Sequence, residues 1–498
     1  MNRLLKWMQG AAGTRWLGAF GSLAIAVGGT VAGALPARDP WGLWVPRGTT
    51  ATVAGAVLAY VGLTLLVLAW WCRGRLTARG GGVGVRETLG TLAWWAAPLL
   101  LAPPLHSADV YSYIAQGAMV LDGHDAYAHG PSVLTADSIG ADAAASVGGH
   151  WTDTPAPYGP VFLLLAKAVA ALTGGTVVPA VTGMRLTAVA ALVVIAWAVR
   201  RLAALRGADE SHALWLAVLN PLLLLHVVGG AHNDGLMVGL TLTGVVLALR
   251  GHWAAGSAVV ALAVLVKSPA AVALLFIGVL VVRQRAGSSG WRAATGMIGP
   301  WLVAVVVAVF ASVLGGTGFG WLRTQSVAAT IHTPLSPSSD LGQLAGWLLG
   351  VSVGVDPAAV KGAVQSAFLA AAVVAIAFLA LRSLRPWRGR PRLDPVHGLG
   401  LSLLLLVGLS PMVQPWYLLW GTAVVAATAL ADDGVVRVLT VLSAALVYET
   451  QPSGHTPPYG FVLVAIAGAV GVAALRRGRE RLPGAPGVTV AEKSVLNG

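Results

Sequence analysis

Apolar runs separated by short polar breaks organise this chain. Four of them, about 16–35, 51–71, 88–105 and 178–199, come close to the roughly 20 residues that carry a helix across a bilayer. The runs are continuous. Strands of a membrane barrel would alternate over about 10 positions, so the pattern predicts helices. With shorter runs at about 158–173, 253–266 and 269–282, the reading is an all-α polytopic membrane protein of roughly 13–15 membrane helices, not all spanning.

The polar breaks fall into two kinds. His106–Pro157 is the longest, and it holds six Asp, four His and no Lys or Arg. Other breaks are arginine-rich: 73–86, 200–206, 283–292, 382–392 and 476–481. Lys and Arg collect on the cytoplasmic side of membrane proteins, which places His106–Pro157 outside. The segments 158–173 and 178–199 lie between that loop and Arg200. Two crossings there would put Arg200 outside, so the first, which holds Lys167, is read as a short or re-entrant helix. Arg3, Lys6 and Arg15 precede the first run. That run is longer than the 7–15 residues of a signal peptide, which predicts an uncleaved first span. The chain then divides into N-terminal membrane helices (1–104), an outer loop (105–157), a membrane helical domain enclosing a cavity (158–480) and a cytoplasmic tail (481–498) read as disordered.

Composition narrows the class. Charged residues make up 10% of the 498 positions, against roughly 25% in a soluble domain, and mean hydropathy is +0.77. The net charge of +13 would suggest nucleic acid on a soluble protein. Here most of it is topology signal, so nucleic acid is not an expected partner. One cysteine, Cys72, allows no internal disulfide and reads as an inert thiol at a membrane edge.

Ionisable groups within or at the edge of a membrane are functional candidates, because burying them costs several kcal/mol unless they are paired. Four groups fall on the outer side. In His106-Ser-Ala-Asp109, continuing to Gln116, a helix would set Asp109, Ser112, Tyr113 and Gln116 on one face. That predicts a helix at the membrane surface with its polar face on a cavity and Asp109 as a general base; alternatively Asp109 caps the helix start. Asn220 to Asp234 packs His226, His232, Asn233 and Asp234 into a turn between apolar runs, where Asn233 or Asp234 could instead be a cap. Lys267-Ser-Pro269 puts a lone cation between two short apolar segments. It suits a phosphate, or it snorkels. The aromatic turns around Tyr158, Gln414-Pro-Trp416-Tyr417 and Tyr459 read as interfacial belt for the most part, with a cavity role for Gln414, Trp416 and Tyr417. His106, His124, His129 and the loop aspartates could hold a metal or be solvated.

No P-loop, CxxC, HExxH or GxSxG motif occurs, so an enzyme of this build would take an activated substrate from the membrane. The strings SADVYSYIAQGAMVLDGHDAYAHGP (107–131), APYGPVF (156–162), NPLLLLHVVGGAHNDGLMVGL (220–240), VLVKSPAAVALLF (264–276) and SPMVQPWYLLW (410–420) resemble the polyprenol-phosphomannose-dependent α-1,6-mannosyltransferases. These are GT-C class integral-membrane glycosyltransferases of lipomannan and lipoarabinomannan synthesis. The resemblance covers most of 90–475. It implies a GT-C-like fold with a long catalytic first outer loop, and a multi-pass protein of the plasma (inner) membrane with its active site outside.

The resemblance further implies a polyprenyl-phosphate-mannose donor and a lipid-anchored mannan or phosphatidylinositol mannoside acceptor. Asp109 matches the catalytic base, and Asp234 and Lys267 match polar positions of the same cavity. His106, Tyr113, Gln116, Tyr158, His232, Asn233, Arg323, Gln414, Trp416 and Tyr417 are the further candidates for donor or acceptor binding. Lys267, His232, Arg323 or a divalent cation (Mg or Mn) would offset the leaving phosphate. Asp109 is followed by Val110, so the adjacent acidic pair of many class members is missing. A transferase of polyprenyl-linked arabinose or glucose is the nearest alternative. A flippase would place its polar groups near the midplane rather than at one face.

Overall fold

The computed structural model describes residues 10–78, 83–285, 290–331, 333–428 and 434–480. The tail after 480 and the basic residues Arg3 and Lys6 lie outside these. Among the described residues the chain is helical, without a β-strand. The helices run α1 Ala11–Ala32, α2 Thr49–Ala78, α3 Val85–Leu101, α4 Asp109–Leu121, α5 Pro160–Thr173, α6 Val177–Arg206, α7 Asp234–Leu249, α8 Trp253–Val264, α9 Val272–Gln284, α10 Gly290–Leu314, α11 Pro337–Val353, α12 Pro357–Leu384, α13 Pro395–Leu409, α14 Leu418–Ala426, α15 Gly434–Leu446 and α16 Pro458–Glu480.

Six of them, α1, α2, α6, α10, α12 and α16, are long and apolar enough to cross a membrane. A seventh candidate span is broken: a π-helical turn, Leu223–Gly229, and α7 pass as one span only together, and they meet at a bend of 108°. The remaining apolar helices are shorter, so the protein is a multi-pass membrane protein with fewer full spans than apolar runs. Helices α10, α12 and α16 expose Val, Leu, Ile and Phe side chains along their length. That surface is costly in water and unremarkable against lipid tails. Around α4, α6, the broken span and α14, side chains of every type are buried.

The two kinds of polar break occupy opposite ends. At one end Arg15 and the fully buried Arg73 both reach Glu87, Arg206 pairs with Asp394, and Arg283 donates to the Leu393 carbonyl at 3.2 Å. At the other, Ala34 N donates to Pro104 O (2.9 Å), Leu105 N to Gly229 O (3.3 Å) and His106 N to Pro452 O (2.8 Å). Helix α5 stays at this second end. Its start lies on Leu265, and the glycines after it lie on Gly140 of the 106–157 loop. It is not among the six helices long and apolar enough to cross a membrane.

Helix α4 begins at Asp109, where the pattern put it, yet it does not lie on a surface. Val110 to Met119 are buried on both faces. One side packs on α5 so closely that a Cβ at Gly117 would come 2.3 Å from the Ala166 backbone. The rest of the loop folds over the other side, with Ala118 against Gly140. A face count along one helix cannot foresee the second cover.

Candidate functional site

Three turns meet at the acidic end, and each is forced by its sequence. Pro103 and Pro104 cannot continue α3, so the chain breaks there. His106 then takes a left-handed φ of 59°, and Ala231, in the break before α7, one of 54°. Such angles cost non-glycine residues free energy and persist only where the surroundings over-determine them. The surroundings here are Arg185, 4% exposed on α6. Its guanidinium donates to the carbonyls of Leu100 (3.1 Å), Ala102, Pro103 (2.8 Å) and Gly229 (2.9 Å). One buried cation thus ties the α3–α4 turn to the broken span. The third turn, before α16, closes on the first: His106 Nδ1–H donates to Thr450 O at 2.9 Å, and Gly454, at φ 88°, presses on Ser107.

On this frame sits Asp109. Ala108 is the N-cap and Asp109 the first helical residue. Its carboxylate caps nothing; Ser107 Oγ instead accepts the Asp109 N–H at 3.0 Å. The capping alternative is therefore not what the structure adopts. Asp109 Oδ2 lies 3.5 Å from His232 Nδ1, and Tyr113 OH lies 3.3 Å from the same nitrogen. His232 is buried and stacked on Trp416, with ring centroids 4.0 Å apart, while 24% of the Asp109 side chain remains open. The arrangement is a carboxylate that faces space, oriented from behind by an imidazole.

Lys267 sits in the break between α8 and the turn leading to α9. Its Nζ bridges both oxygens of Asp234, at 2.9 and 3.0 Å. Trp420 Nε1 donates to Asp234 Oδ1 at 2.6 Å. Lys267 therefore does not snorkel, and Asp234 does not cap α7. Both are held inside, with side-chain exposures of 16% and 1%. Burial works against the ammonium charge, and the Asp234 carboxylate outweighs it, so Lys267 holds its proton above the usual lysine range. The Tyr417 ring lies 4.3 Å below Nζ.

Asp109 and Lys267 line one cavity of about 570 Å³. Tyr158 and Tyr417 line it with them. The other candidates stand further back. Tyr113, His232, Trp416 and Asp234 form the layer behind, and His106 and Gln116 are buried beyond it, at 3% and 1% exposure. Asn233 precedes α7 with its side chain buried and does not cap it. Gln414 is half-buried at the start of its turn, and Arg323 is exposed on a short helix; neither lines the cavity. Among the described residues no three His, Cys, Asp or Glu side chains converge to hold a metal. His124 and His129 are exposed, and His106 faces Thr450. These side chains alone do not make a three-ligand cation site.

The structure adds residues that sequence reasoning missed. Trp420 and Trp151 line the cavity, and Arg185 braces it. Trp420 follows Tyr417 by one helical turn and stacks on it at 4.3 Å, an i, i+3 relation that could have marked it. Trp151 stands in a polar loop, away from any apolar run, and that isolation is its signal.

A family profile described as alpha-(1->6)-mannopyranosyltransferase, N-terminal domain, matches residues 15–283, and a second, the MptB C-terminal domain, matches 338–477. Alpha-(1->6)-mannopyranosyltransferase B of Corynebacterium glutamicum is 32% identical over 91% of this chain and 79% of its own. Alpha-(1->6)-mannopyranosyltransferase A of Mycobacterium tuberculosis is 32% identical over 95% and 91%. No solved structure matches the chain.

Proposed function

The chain belongs to the alpha-(1->6)-mannopyranosyltransferase family, and on that premise we propose that it transfers mannose from a β-linked polyprenyl-phosphate-mannose to the 6-hydroxyl of a lipid-anchored mannan, outside the plasma membrane. The observation that carries the reading is a single cavity that pairs an open carboxylate, Asp109, with a buried ammonium, Lys267.

The chemistry follows from those two groups. Asp109 takes the proton from the acceptor O6. That oxygen attacks the anomeric carbon from the face opposite the phosphate. The new C1–O6 bond forms as the C1–O(phosphate) bond breaks, and the electron pair leaves on the phosphate oxygen. A β-linked donor thereby gives an α-1,6 product by inversion. Phosphate is a good leaving group and needs charge compensation rather than a strong acid. Lys267 supplies it through the N–H not engaged by Asp234, while Trp420 and Asp234 fix where that ammonium points. His232 holds the Asp109 carboxylate toward the acceptor.

The test is an assay of the purified protein with polyprenyl-phosphomannose and a short α-1,6-mannoside. Wild type yields an α-1,6 extension, and Asp109→Asn lowers turnover by about 10²–10⁴. Near-normal turnover by Asp109→Asn removes Asp109 as base. A lack of transfer by wild type removes the donor.

A further inference from the structure

The cavity walls differ by origin. Val272, Leu369 and Leu406 come from α9, α12 and α13 and are apolar. Trp151, Gln325 and Ser326 come from the polar segments 122–159 and 315–336. Asp109 and Lys267 belong to neither wall but to the frame shared by both. A lipid-linked sugar phosphate can place its tail only along the apolar wall and its phosphate at the ammonium. The second substrate must then bring its hydroxyl to Asp109 from the loop wall.

Trp151 is the largest side chain on that wall. It is half-buried, its backbone N–H donates to Gly148 O at 2.8 Å, and the His150 ring lies T-shaped to it at 5.6 Å. An indole of the interfacial belt would sit at the end of a span and face lipid. This one projects from a cation-free loop into an interior cavity. Tyr158 lines the same region, but it is buried and packed in T-shaped contacts with Tyr113 and Phe162, at 5.3 and 5.2 Å.

We propose that Trp151 is the platform of the acceptor subsite, on which the C–H face of the terminal acceptor mannose stacks while its 6-hydroxyl reaches Asp109. The proposal rests on the reading of the cavity as a mannosyl-transfer site. An indole presents a flat apolar face with few torsions to freeze, which suits a pyranose ring and leaves the hydroxyls at the rim. The contact is equal in the ground and transition states, so its loss raises KM for the acceptor and leaves kcat nearly unchanged.

The experiment is steady-state kinetics of the full-length protein with polyprenyl-phosphomannose and a synthetic α-1,6-dimannoside, each varied in turn. Trp151→Ala is expected to raise the acceptor KM about fivefold to tenfold, with the donor KM unchanged. Trp151→Tyr keeps an aromatic face and should stay near wild type; Trp151→Leu keeps bulk without the face and should follow alanine. The Tyr and Leu pair decides the question even if the alanine variant does not accumulate. The proposal is overturned if Leu equals Tyr, or if the rise falls on the donor KM. A wild-type protein that transfers no mannose defeats the proposed function instead, an outcome distinct from either.

Discussion

At the scale of single residues, the buried Lys267–Asp234 pair is where a substitution tells most. Removing one partner of a buried ion pair leaves an uncompensated charge and costs about 3–5 kcal/mol. Asp234→Asn and Lys267→Met should each lower the thermal midpoint in detergent markedly. The double variant should lose less than the two combined, because it leaves no orphan charge. His106 gives a pH signature. Burial pushes its pKa down to about 4, below the unfolded value near 6.5. Between those values the unfolded chain binds the proton and the folded chain does not, so stability falls as pH drops from about 6.5 to 4. Glu449 acts in the opposite sense: burial raises its pKa, and its carboxylate costs stability as pH rises. A thermal midpoint scan of wild type against His106→Asn isolates the first effect. The wild type should lose on the order of 3 kcal/mol more across that window.

At the scale of elements, the broken span does the positioning. Its 108° bend brings His232 behind Asp109 and Asp234 to Lys267, 33 residues away in sequence. Ala231 makes the bend at a positive φ with little room around it. Ala231→Val, β-branched at that angle, should cost about 1–3 kcal/mol and reduce kcat, read by thermal unfolding together with the transfer assay. The three segments of the site were legible in the sequence because polar residues are scarce enough in this chain to stand out: Asp109 opening a helix, the HND turn and Lys267 each interrupt an apolar pattern. Their pairing was not legible. Nothing local ties Lys267 to Asp234, nor Arg185 to four carbonyls, since all of these partners are distant in sequence. Trp420 did not stand out, because an aromatic residue in an apolar run looks the same whichever way it faces.

At the scale of the molecule, the sorting of arginines from the acidic loop predicts orientation. In a Cys72→Ser background, a cysteine at Asp137 should react with a membrane-impermeant maleimide in intact cells. One at Arg388 should react only after permeabilisation. The reverse pattern would put the cavity inside. Both positions are exposed, at opposite ends of the helices.

In the reaction proposed above, the Lys267–Asp234 pair also bears on how the site empties. A bare ammonium would hold the departing lipid phosphate by full charge attraction and slow its exit. Here the ammonium is already matched by a carboxylate. Once Asp109 returns its proton to water, the pocket carries one more carboxylate than ammonium, close to an anionic product. Bond breaking meets a cation, while the product's residence meets a net repulsion. In that reaction the same three side chains act on turnover and on clearance, and only Asp109 changes its protonation between the two.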